Sequence, residues 1–135
     1  MKSRDALSRL KRFDVEEKQR KVAEIESLIV DFGQMANDLD RQIALEQERA
    51  GVSDTNHYAY PTFAKAAIQR RDNLLASAAD LEAKLASARE TLAEAFEELK
   101  RIELLEERDA ERMKIEQARA AELGAVAGVP HRVAS

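Results

Sequence analysis

From Val22 the apolar side chains recur at alternating steps of three and four: Val22, Ile25, Ile29, Phe32, Ala36, Leu39, Ile43. The spacing averages about 3.5 residues, the heptad period that winds helices around each other in a left-handed coiled coil. Leu28 and Met35 widen this stripe. A second, longer series runs Leu74, Ala78, Leu81, Leu85, Ala88, Leu92, Ala95, Leu99, Ile102, and Ala64 and Ala67 extend it backwards past one polar intruder, Arg71. Alanines alternating with leucines let two helical backbones approach closely, so the predicted seam is narrow.

Break signals bound the two helices. Gly51 follows the first series, where a left-handed C-terminal cap favours glycine, and Pro61 precedes the second, where its missing amide costs nothing in a first turn. The two stand ten positions apart. So short a connection makes neighbouring helices antiparallel. The pattern therefore predicts an all-α fold, a long antiparallel two-helix coiled-coil hairpin, with helix 1 over about 3–50, a tip at 51–61 and helix 2 over about 62–123. Equal pairing across the turn places Ile43 near Ala67 and Ile25 near Leu85 or Ala88. Arg71 then falls opposite Asp38, Asp40 and Gln42, with its stem along the seam and its guanidinium on a carboxylate.

The pattern weakens at both extremities. Ser8, Lys11 and Lys18 occupy extrapolated seam positions, while Leu7, Leu10 and Phe13 lie off them, which predicts a helical but less tightly paired first twenty residues. Ser3 is a candidate N-cap and Asp5 complements the helix dipole. Beyond Leu105, Glu106 and Asp109 fall on the seam, so this part is expected to project past its partner. Gly33 lies mid-helix and off the seam, at a cost of about 1 kcal/mol relative to alanine. Residues 124–135, with Gly124, Gly128 and Pro130, carry no pattern and read as a disordered tail.

Composition supports long solvated helices: 36% of the 135 residues are charged, only 4% are aromatic, and much of the 44% hydrophobic content is alanine. The absence of cysteine excludes disulfides and thiolate metal sites and suits a reducing cytoplasm. No apolar run approaches the roughly 20 residues of a membrane span, and the N-terminal segment lacks a signal-peptide pattern. Charge is uneven: residues 1–21 are net +4 and residues 22–50 net −5. A solvated helix face accounts for much of this charge, and a basic end engaging an acidic partner is the sharper reading.

Chemistry is sparse. His57 and His131 are far apart, no glycine-rich loop ends in Lys-Ser or Lys-Thr, and carboxylate runs such as "EELKRIELLEERD" form i to i+4 ion pairs on an exposed helix. No enzyme activity, catalytic residue, metal or cofactor is expected, which leaves interaction surfaces.

Three stretches resemble a known family: "MKSRDALSRLKRFDVEEKQRKVAEIE" at the start, "EQERAGVSDTNHYAYPTFAKAAIQRRDNL" around the tip, and "LAEAFEELKRIELLEERD". Over residues 1 to about 110 the chain resembles FliJ, the flagellar export protein, in its alphaproteobacterial form. The resemblance implies a non-enzymatic, central-stalk-like hairpin, similar to the stalk of rotary ATPases. Its partners would be the flagellar export ATPase ring, the cytoplasmic part of the export gate and export chaperones, with no nucleic acid and no small-molecule substrate. Its place would be cytoplasmic and peripheral at the inner face of the inner membrane. By that analogy the end bearing both termini enters the ATPase ring, offering Lys2, Arg4, Arg9, Lys11 and Arg12 as its contact. Tyr58, Tyr60 and Phe63 would serve at the tip, either plugging the open end of the seam or presenting an aromatic patch to the gate or a chaperone. Two alternatives stand beside it: a helical hairpin gripping structured RNA through the basic end, and a homodimeric coiled coil.

Overall fold

The structure, a computed structural model, describes the backbone of residues 2–134 and the side chains of residues 4–125. Two helices, α1 (Lys2–Ala50) and α2 (Thr62–Ala134), pack against each other as a helical hairpin, with no strand among the described residues. The chain divides into two compact units, residues 17–93 and residues 1–16 with 94–135.

In residues 17–93 the heptad series is the buried row. Ile25, Ala36 and Ile43 on α1 and Ala64, Ala67 and Leu85 on α2 are buried. Val22, Ile29, Phe32, Leu39, Leu74, Ala78, Leu81, Ala88 and Leu92 are half-buried. Ile25, Leu81 and Ala88 line one groove, so Ile25 lies near Ala88 as expected. Full burial of a side chain such as Ile25 is worth about 1.5–3 kcal/mol, and the half-buried positions contribute proportionately less. Two helices leave both edges of a seam open. Arg71 behaves as its position predicts: its guanidinium crosses to Asp40 at 2.9 Å and also holds Asp72 on its own helix. These two hydrogen bonds, Asp40's the stronger, raise its pKa further. α1 is continuous through Gly33, and a Cβ there would meet nothing within 4 Å.

The hairpin turn starts from a glycine cap. Gly51 adopts a positive φ of 66°. Its amide donates to the Glu48 carbonyl and that of Val52 to the Gln47 carbonyl, both at 3.3 Å, the paired pattern of a Schellman ending. Asp54 then accepts from the Asn56 amide through its side chain and from the His57 amide through its carbonyl. Pro61 stands just before α2, and its carbonyl accepts the first helical bond, from the Lys65 amide at 3.1 Å.

Residues 1–16 and 94–135 depart from expectation in an informative way. The seam register persists there on polar residues. Ser8 is buried at 1% exposure, Val15 and Ala95 are buried, and Arg4, Lys11, Leu99, Ile102, Glu106 and Asp109 are half-buried. A small serine fits between close helices, and its hydroxyl accepts from the Arg12 guanidinium at 3.0 Å. Lys11 lays its stem along the seam and carries its ammonium to Glu98 at 2.7 Å. Arg4 bonds Asp109 and donates to the Leu105 carbonyl at 3.3 Å, so pairing reaches Asp109 instead of stopping at Leu105. Residues 111–125 are exposed throughout.

Both helix ends differ from the sequence reading. α1 begins at Lys2, so Ser3 sits inside it, and the capping side chain expected of Ser3 lies outside the described residues. α2 runs on to Ala134, through Gly124, Gly128 and Pro130, where a patternless tail was expected. Apolar periodicity reports burial, not helicity. The alanine-rich stretch before Gly124 has strong intrinsic helix propensity without a packing partner.

Candidate functional site

The expected basic contact surface is divided by the structure. Arg4 and Lys11 are committed to Asp109 and Glu98 across the helices, so two of the five cations serve the hairpin itself. The bond to Glu98, with its Coulomb attraction, raises the Lys11 pKa above its ordinary value. Arg9 and Arg12 are exposed, and each bonds within α1, Arg9 to the Asp5 carbonyl at 3.4 Å and Arg12 to Ser8. Neither bond neutralises charge. The side chain of Lys2 lies outside the described residues.

Next to this cationic face lies an acidic groove. It is lined by Arg4, Asp5, Glu103, Glu106, Glu107 and Asp109, with Ala110 and Met113 completing the wall. Oε1 of Glu106 is buried there without a hydrogen-bond partner. Among the described residues no group of three or more His, Asp or Glu could hold a metal ion.

The three tip aromatics also part company. Tyr60 is 6% exposed, and its hydroxyl accepts from the Gln47 side-chain amide at 2.9 Å. Of the two roles expected for it, this burial matches the plug at the end of the seam. Tyr58 is 96% exposed, and its ring stacks on His57 with centroids 4.6 Å apart. The His57 ring is anchored in turn, since Nδ1 accepts from the Ala59 amide at 3.0 Å. Phe63, in the first turn of α2, is more than half exposed. The aromatic patch at the turn is therefore Tyr58 and His57, with Phe63 exposed on α2.

Sequence reasoning placed Glu106 on the seam but missed Glu98 and Gln47. Glu98 and Gln47 lie beside the seam, where long polar residues are ordinary, and only the turn geometry makes Gln47 face Tyr60.

No helix is long and apolar enough to cross a membrane among the described residues. The chain matches no protein-family model, no curated protein and no solved structure.

Proposed function

We propose that the protein is a non-enzymatic, stalk-like adaptor of the flagellar protein export apparatus. In this reading it links the export ATPase ring, the cytoplasmic part of the membrane export gate and export chaperones, and is required for flagellum assembly and motility. It works at the cytoplasmic face of the inner membrane without crossing it. The reading draws on the FliJ-like sequence of the N-terminal and tip stretches. The observation that supports it best is the placement of surface: the hairpin buries its seam, while Arg9 and Arg12 on α1 and the whole of residues 111–125 on α2 remain exposed for partners. Such an adaptor acts by binding the states of its partners unequally, and only differential affinity shifts an equilibrium.

The test uses the exposed cations alone, because reversing Lys11 would also break its ion pair with Glu98. Arg9→Glu with Arg12→Glu should weaken co-purification with the export ATPase and impair swimming, with an unchanged melting temperature. Normal motility and ATPase association in the double variant would remove this end as the contact. Normal flagellation in a strain lacking the protein would sink the reading as a whole.

A further inference from the structure

The two edges of the seam in residues 17–93 are built differently. On one edge, cross-helix ion pairs bridge α1 and α2: Arg71 meets Asp40 at 2.9 Å, and Arg89 lies 3.6 Å from Glu26. On the other edge stand Lys21, Arg70 and Lys84, and none has an ion-pair partner among the described residues. Arg70 and Lys84 are fourteen positions apart on α2, two heptads, so both flank the seam on the same side.

This second edge is also apolar and open. Leu28 and Met35, one heptad apart on α1, are 42% and 48% exposed. Ile25, Leu81 and Ala88 floor a groove with Leu28, Lys21 and Lys84 at its sides, and Glu24 is the one carboxylate lining it. The groove lies between two packed helices and runs with them, which is the shape that receives a third helix.

We propose that this edge docks an acidic amphipathic helix of a partner protein, with apolar residues at i, i+3 or i+4 and i+7 seated on Leu28 and its groove. Aspartate or glutamate beside that apolar row would meet Lys21, Arg70 and Lys84. Charge argues for a partner rather than a second copy, because a two-fold contact would bring each lysine edge against its own like charges. The concave groove argues for a helix over a lipid surface, since a bilayer face does not reach a recessed apolar floor. This docking edge is separate from the surfaces assigned to export partners and stands without that reading.

The experiment measures fluorescence anisotropy of a labelled, designed peptide about three heptads long, with leucine in its core positions and glutamate beside them. Its twin carries lysine in place of glutamate. The full-length protein should bind the acidic peptide saturably and more weakly as salt rises, and should not bind the lysine twin. Lys21→Glu with Lys84→Glu, and separately Leu28→Asp, should each weaken binding by about tenfold or more, whereas Leu75→Asp on the bridged edge should leave it unchanged. Circular dichroism verifies that each variant is folded, and the double lysine variant keeps the test alive if Leu28→Asp does not fold. Equal binding of the two peptides, or binding indifferent to the lysine pair, would overturn the proposal. So would self-association in sedimentation that Lys84→Glu abolishes, or binding to phosphatidylglycerol vesicles that the lysine pair abolishes while the peptide stays unbound.

Discussion

The side-chain amide of Gln47 donates to the Tyr60 hydroxyl at 2.9 Å, tying the last turns of α1 to the residue before Pro61. Tyr60 thereby fills the open end of the seam with its ring and finds a partner for its one polar atom. Tyr60→Phe keeps the ring and loses the bond, which should cost about 1 kcal/mol. Tyr60→Ser also removes the ring and should cost about 3 kcal/mol, within the range for emptying a buried aromatic site. Tyr58→Ser should leave thermal stability unchanged, because that ring faces solvent. Urea denaturation of the three variants checks the order.

Two glycines should respond to alanine in opposite directions. Gly51 holds a φ of 66°, so Gly51→Ala places a Cβ in the left-handed region and should destabilise by roughly 1–2 kcal/mol even though the space is empty. Gly33 is helical with open space around it, so Gly33→Ala should stabilise by about 0.5–1 kcal/mol through helix propensity and a less flexible unfolded chain. Chemical denaturation of the two single variants decides it. Destabilisation by Gly33→Ala would mean that a docked neighbour fills that space.

How much of this fold was legible follows from what burial requires. An apolar residue every three or four positions has no cheaper explanation than a seam, so Val22 to Ile43 and Leu74 to Ile102 could be read directly, as could the cap at Gly51. Polar residues on the same register were ambiguous. Ser8 and Lys11 look like interruptions until the helices are close enough for a serine to fill the gap and for a lysine stem to reach Glu98. Tyr58 and Tyr60 are chemically alike and two positions apart. The turn backbone alone, set by Asp54 and His57, sends one inward and the other out. The helix beyond Gly124 was missed because nothing packs on the stretch before it, and packing is what periodicity records.

The Lys11 pair carries a pH dependence of known sign. The folded-state pKa is raised by the hydrogen bond and Coulomb attraction of Glu98, so the stabilisation is fully present below the ordinary lysine value of 10.5 and is lost as pH rises through the raised folded value. Melting curves should therefore show a high-pH loss of stability, smaller in Lys11→Met than in the wild type. Since the site is exposed, the difference should also shrink in high salt. An identical alkaline profile for both proteins would show that the pair adds nothing to folding.

Glu106 offers the clearest route to a more stable hairpin. It occupies a seam position beside Arg4, but Arg4 is spent on Asp109 and the Leu105 carbonyl, and Oε1 of Glu106 is left buried without a partner. Glu103, Glu107 and Asp109 line the same groove and add like charge. A buried polar atom without a hydrogen bond costs about 1–3 kcal/mol, whereas an apolar side chain at the same position would extend the row begun by Leu99 and Ile102. Glu106→Leu should therefore raise stability by about 1 kcal/mol and slow amide hydrogen exchange in the first turns of α1. Asp109→Asn, which removes the counter-charge of Arg4, should do the reverse. If Glu106→Leu stabilises the hairpin but weakens partner binding in the same preparation, the unpaired carboxylate is kept for contact rather than for folding.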